Sequence, residues 1–127
     1  MENPRRKIWL CLTPCYLLVL TILSLLPASE MQEVFSLTEL LANLAHIPAY
    51  GILAFLLIKI LPQFVSNGIH PLAFLMSVLY GGVMEILQGF TGREPSWMDM
   101  GSNAIGALIV VLLIQGQERK MSVSKIF

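Results

Sequence analysis

Four long apolar runs, nearly free of charge, constrain this chain more than any other feature. A helix needs about 20 apolar residues to cross a bilayer core. The runs cover about residues 8–26, 44–61, 71–90 and 97–114. Charged residues make up 13% of the chain, whereas soluble domains typically carry about 25%. The sequence therefore predicts an all-α integral membrane protein, a four-helix bundle that forms a single domain over residues 1–127.

The basic residues predict how the bundle is oriented. If the N-terminus lies inside, seven of the eight Lys and Arg residues lie on or near the cytoplasmic side, namely Arg5, Arg6, Lys7, Lys59, Arg119, Lys120 and Lys125. Arg93 alone lies on the outer side. By the positive-inside rule, both termini are expected in the cytoplasm and the protein in the inner (cytoplasmic) membrane.

The first run has a second interpretation, as a cleaved signal peptide. It follows a basic leader, and a small-residue cleavage site stands near Ala28. Against this, its apolar stretch is longer than the 7 to 15 residues of a signal core. Cleavage would leave the orientation of the other three spans unchanged.

The first outer loop carries a helix-start signal. Ser36-Leu37-Thr38-Glu39 is a capping box, with Ser36 as N-cap and Glu39 reaching back. Leucines then recur at helical spacing as far as Leu44. We expect a short interfacial helix that leads into the second span.

Other features narrow the class of protein. A formal net charge of zero gives no reason to expect a nucleic-acid partner. Cys11 and Cys15 lie four apart inside the first apolar run, and we interpret them as small apolar residues. His70, before Pro71, is interpreted as part of a cytoplasmic loop. No cofactor is expected.

Polar residues cluster where the third and fourth runs meet. A short loop, about residues 91–96, makes these helices antiparallel neighbours. Counting 1.5 Å per residue from the loop places Gln88 level with Asp99, and Glu85 level with Asn103. Gly81, one turn below Glu85, is small enough to let the helices approach closely.

A third polar face enters from the same side of the membrane. His46 and Tyr50 are four residues apart and therefore share one face of the second span. Ionisable groups inside a membrane are costly and are functional by default. The alternative is a purely structural network, in which the same hydrogen bonds fix helix register.

These residues receive candidate roles. His46, Glu85 and Asp99 are the candidate catalytic residues, and the candidate ligand contacts are Tyr50, Gln88, Arg93 and Asn103. Arg93 can pair with a neighbouring carboxylate or with a ligand anion. Ser96 is expected to N-cap the fourth helix. No close ligand motif supports a metal site, so none is assigned.

The order and spacing of these residues resemble the VanZ-like family of small membrane proteins. The match covers roughly residues 40–115, in the segments His46–Ala54, Tyr80–Phe90, Arg93–Asp99 and Asn103–Gly106. One departure concerns the Asp-Lys pair that often precedes the histidine in the family, where this chain has Asn43-Leu44. A role that needs that acid or base is not expected here. The resemblance implies a multispan bacterial membrane protein, and the founding member is linked to low-level teicoplanin resistance.

Three functions remain open at this point. The first is an envelope protein whose outward polar cleft binds or modulates an envelope lipid or cell-wall precursor, with a link to glycopeptide resistance. The second is a membrane enzyme that acts on such a component through Glu85, Asp99 and His46. The third is a structural or assembly subunit. The lipid bilayer is a partner in each, and an oligomer is compatible with all three.

Overall fold

The described part of the chain forms four long helices, and the connections that follow the second and third of them are short. The computed structural model describes residues 4–27 and 39–125, with side chains described for 6–27 and 44–125. The helices are α1 (Pro4–Leu25), α2 (Glu39–Ile60), α3 (Ile69–Gln88) and α4 (Trp97–Ser124), with short 3₁₀ turns at Leu61–Gln63 and Gly89–Thr91. Each long helix is apolar enough to cross a membrane. The predicted all-α, four-span architecture is confirmed.

The start of α3 corrects one interpretation. The helix begins at Ile69, after Gly68 in the left-handed region with φ of 70°. His70 therefore lies in the first helical turn, and its placement in a loop was wrong. Pro71 does not interrupt the helix, because the first turn has backbone N–H groups that need no partner within the helix.

The fourth helix is longer than its apolar run. The run was predicted to end at Ile114, but α4 continues to Ser124 and has 28 residues. The additional residues are largely good helix formers such as Gln, Glu, Arg and Lys. Where hydropathy falls, the helix leaves the bilayer without ending. Glu118 on this extension lies 3.2 Å from His70, measured from Oε2 to Nε2.

The beginning of α2 bears on the predicted interfacial helix. Ser36, its proposed N-cap, lies outside the described residues. From Glu39 the helix is already formed, and it runs to Ile60 with Pro48 inside it. The segment just before Leu44 is thus part of the same helix as the second span.

The core of the bundle lies along α2. In its most apolar window 44% of the residues are buried, against 17% in α1, 33% in α3 and 28% in α4. Leu53 and Ala54 are completely buried, and Ala73 of α3 and Ala107 of α4 pack into the same cluster. A helix that is apolar all round suits this central position.

Hydrogen bonds attach α1 to the other helices. The Tyr16 hydroxyl donates to the carbonyl of Ala49 in α2 at 2.7 Å. Thr21 Oγ1 lies 2.8 Å from the hydroxyl of Tyr80 in α3. Such polar contacts stabilise helix pairs in lipid, where apolar surface supplies little driving force for association.

Candidate functional site

The connection between α3 and α4 determines where the predicted polar residues meet. After the turn that follows α3, Gly92 adopts φ of 78° in the left-handed region. The N–H of Arg93 then donates to the carbonyl of Gln88 at 3.3 Å. This is the outer bond of a Schellman motif with Gly92 at C′. A residue with a side chain would be strained at this position, so Gly92 allows the chain to turn back sharply.

Glu85 is joined to the start of α4. Its Oε2 accepts a hydrogen bond from the backbone N–H of Ser96 at 3.0 Å. Ser96 is the N-cap of α4, as predicted, and its Oγ accepts from the N–H of Asp99 at 3.4 Å. In a capping box, a side chain of the same helix reaches back to the N-cap N–H. Here α3 supplies that carboxylate, and its negative charge lies at the positive end of the α4 dipole.

Gln88 and Arg93 bond to the end of α1. Gln88 Nε2 donates to the carbonyl of Ser24 at 3.0 Å, and Arg93 Nη1 donates to the same oxygen at 3.3 Å. The last carbonyls of a helix have no partner within it. Because α1 ends at Leu25, the Ser24 carbonyl is one of these. Gln88 and Arg93 therefore act as a side-chain cap on α1.

His46, Asn103 and Asp99 form a separate group between α2 and α4. His46 Nδ1 lies 2.9 Å from Asn103 Oδ1, a hydrogen bond in which the ring donates when Nδ1 carries the proton. Its Nε2 lies 3.9 Å from Asp99 Oδ2, which is ion-pair distance when the ring is protonated. The side chain of His46 is 16% exposed and that of Asp99 is 7% exposed. We call these three residues the His46 cluster.

Tyr50 and Gly81 form the wall behind the His46 cluster. The Tyr50 ring is 1% exposed and stacks against His46, with centroids 6.1 Å apart. A Cβ on Gly81 would lie 2.7 Å from Asn103 Nδ2 and 3.1 Å from Tyr50 Cε1. Asn103 Nδ2 is buried and has no hydrogen-bond partner in the described part of the chain. Glycine at 81 is therefore required for the amide of Asn103 to fit in its observed place.

A close crossing of α2 and α4 sets the position of the two helices that carry the cluster. A Cβ on Gly106 would collide with the backbone carbonyl of Ile47. A Cβ on Gly51 would lie 3.0 Å from Val110 Cγ2. This contact, one turn along α4 from Asn103, lets His46 reach across to the amide. Gly106 therefore allows α2 to pack closely against α4.

The structure divides the predicted polar residues into three groups. Depth counting had placed Gln88 level with Asp99 and Glu85 level with Asn103, which does not specify bonded partners. Among the described residues, hydrogen bonds join Glu85 to Ser96, Gln88 and Arg93 to Ser24, and His46 to Asn103. No ion pair joins Arg93 to a described carboxylate. Within residues 4–27 and 39–125, no group of three His, Cys, Asp or Glu side chains is arranged to hold a metal.

Sequence reasoning missed the contribution of α1. Ser24 takes part through its backbone carbonyl, which no side-chain pattern reveals. A signal was nevertheless present, because Pro27 lies three residues on and helices usually end before a proline. A helix that ends within the membrane leaves carbonyls that must find donors elsewhere.

Comparison with known proteins identifies the family. The family model described as VanZ/LLP1 matches residues 5–116. No curated protein matches the chain, and no solved structure matches it. The match includes residues of all four helices and extends along α4 as far as residue 116. It includes the His46 cluster, the Glu85 cap on α4 and the Gln88 and Arg93 cap on α1. The chain therefore belongs to the VanZ/LLP1 family of membrane proteins.

Proposed function

We propose that this protein acts in the cell envelope and that the His46 cluster binds the polar part of an envelope component, a lipid headgroup or a cell-wall precursor. The observation that carries the proposal is the approach of the partly buried His46 to the buried Asp99, with 3.9 Å between Nε2 and Oδ2, between two membrane spans. Glu85, Gln88 and Arg93 each cap a helix end. His46 and Asp99 form an ionisable pair between two spans, and such groups are costly to maintain inside a membrane.

The proposed orientation supports access from outside the cell. The His46 cluster lies toward the end of the bundle that carries the α3–α4 connection. Seven of the eight basic residues lie toward the other end or in the N-terminal leader. By the positive-inside rule, the termini are cytoplasmic and the cluster lies near the outer face of the inner membrane. Envelope precursors are exposed on that face.

The cluster offers complementary groups to a polar ligand. Asp99 provides acceptor oxygens, and His46 Nε2 accepts a hydrogen bond, or donates one when the ring is protonated. The guanidinium of Arg93 has five N–H donors, and the Ser24 carbonyl takes only one of them. Arg93 is therefore able to hold an anionic group while it caps α1. Charge-assisted hydrogen bonds of this kind are stronger than neutral ones.

The relevant component is one that affects glycopeptide susceptibility, as the founding member of the family suggests. The test is expression of the parent, Asp99→Asn and His46→Ala in a teicoplanin-susceptible bacterium at matched protein levels. We expect the parent to raise the inhibitory concentration and both variants to lose the increase. Glu94→Gln, an exposed residue of the same connection, is the matched control and should behave as the parent. Full protection by Asp99→Asn would contradict the proposal.

A membrane enzyme is the second candidate. The observation in its favour is that one histidine nitrogen contacts an amide oxygen while the other faces a carboxylate. The two contacts hold the orientation of the ring, which is a requirement for a histidine that acts as general base or acid. Incubation of purified protein with labelled lipid-linked precursor distinguishes the two candidates. An enzyme gives a product that Asp99→Asn abolishes, whereas a binding protein retains the precursor unchanged.

A further inference from the structure

A groove of about 550 Å³ lies between α3 and the start of α4, apart from the His46 cluster. Its walls are apolar side chains of α3 together with Pro95, Trp97 and Met100. Leu79 and Trp97 at its edges are 59% and 87% exposed, so the groove faces outward from the bundle. Because the helices span a membrane, the surroundings of this groove are lipid.

The polar lining of the groove is unusual for a lipid-facing surface. Glu85 and Ser96 are its only polar members among the described residues. Glu85 Oε2 is bonded to the Ser96 N–H, while no partner is found for Oε1 in the described part of the chain. No Lys, Arg or His side chain lines the groove. It therefore presents a carboxylate acceptor with no basic side chain in its lining, and ionisable groups are costly in a membrane.

We propose that this groove is a binding site for an amine-headed membrane phospholipid. One acyl chain packs along the apolar wall, and the headgroup ammonium donates to Glu85 at the level where α4 begins. A charge-assisted bond of this kind satisfies the carboxylate. A headgroup with a phosphate but no amine would instead bring two negative charges together. The volume falls within the range of small-molecule sites.

A substitution at Gly82 tests the groove while Glu85 is left unchanged. It lines the groove, and a Cβ there would meet only Met100 Cε, at 3.5 Å. Gly82→Leu therefore fills the groove with a side chain that the backbone accommodates. Gly101→Leu is the matched control, because this α4 glycine has nothing within 4 Å of its Cβ position and lies outside the groove.

The experiment is native mass spectrometry of the detergent-purified protein titrated with phosphatidylethanolamine or phosphatidylglycerol of identical acyl chains. For the parent we expect phosphatidylethanolamine to bind about tenfold more tightly, the effect of one charge-assisted hydrogen bond. Gly82→Leu should weaken phosphatidylethanolamine binding at least about tenfold, and Gly101→Leu should match the parent. Glu85→Gln should bind both lipids equally.

Three results would overturn the proposal. They are equal binding of the two lipids by the parent, parental binding by Gly82→Leu, and a preference that survives in Glu85→Gln. If Gly82→Leu does not fold, Leu79→Trp fills the groove from its edge and carries the same expectations. His46→Ala and Asp99→Asn leave the groove intact and should retain the lipid preference. The proposed lipid site and the proposed role of the His46 cluster are therefore tested independently.

Discussion

Glu85 and Ser96 are joined by a hydrogen bond of 3.0 Å from the Ser96 backbone N–H to the Glu85 carboxylate. One membrane span thereby caps the next, across the connection that separates them. The bond accounts for a buried carboxylate that depth counting had placed opposite Asn103.

Loss of the Glu85 cap should destabilise the hairpin of α3 and α4. Glu85→Ala leaves the Ser96 N–H without its partner, and we expect a loss of about 1–3 kcal/mol in unfolding free energy. Glu85→Gln should lower the unfolding free energy by less, because its amide oxygen still accepts a hydrogen bond from the Ser96 N–H. Melting in one detergent measures both. Glu94→Ala is the control, and an equal loss in that variant would contradict the specific role of Glu85.

Gly106 and Gly116 give a matched pair on one helix. A Cβ at 106 collides with the Ile47 carbonyl, whereas the Cβ position at 116 has nothing within 4 Å. Gly106→Ala should therefore cost at least about 1–3 kcal/mol, since the neighbouring atom is backbone. Gly116→Ala should be neutral or stabilise α4 by about 0.5–1 kcal/mol through helix propensity. Equal melting temperatures for the two variants would show that α2 and α4 do not cross at Gly106.

Both truncation of Gln88 and its replacement by a charged residue should lower the stability of the protein. Its Nε2 donates to the Ser24 carbonyl, and a glutamate at 88 would place an acceptor against an acceptor. We expect Gln88→Ala to cost about 1 kcal/mol and Gln88→Glu to cost more when ionised. Thermal melting at neutral pH ranks the two variants. The reverse order would argue against the bond to Ser24.

His46 and Asn103 should show energetic coupling. Their atoms lie 2.9 Å apart, so a double-mutant cycle of His46→Ala and Asn103→Ala should give an interaction energy of about 0.5–3 kcal/mol. His46 and Gln88 have no contact among the described residues. The stability losses of His46→Ala and Gln88→Ala should therefore add within about 0.5 kcal/mol. Additivity in the first cycle would mean that the two side chains do not interact.

The sequence predicted the spans well because length and hydropathy determine them directly. The end of α4 was missed because hydropathy marks where a helix leaves the bilayer, while residues such as Arg119 and Lys120 continue it in water. The site was predicted less completely. Spacing placed Gln88 level with Asp99 and Glu85 level with Asn103, but it does not show which pairs bond.

Two hydrogen bonds show why spacing along a helix does not predict bonded partners. Glu85 and Gln88 share one predicted helix face, yet one bonds to Ser96 and the other to Ser24. Both partners are backbone atoms at helix ends, which become available only where a helix stops. Predicting the Gln88–Ser24 bond also requires the tertiary placement of α1, and Ser24 takes part through a backbone carbonyl that no side-chain pattern reveals.

The most direct test of the central claim is the melting temperature of Asp99→Asn against the parent in the same detergent. The substitution preserves shape and removes the buried charge. If the His46 cluster is maintained for binding, the melting temperature should be unchanged or raised, because removing a costly group at a functional site tends to stabilise a protein. A fall in melting temperature as large as that of Glu85→Ala would show that Asp99 stabilises the bundle. It would contradict the assignment of Asp99 to a binding site.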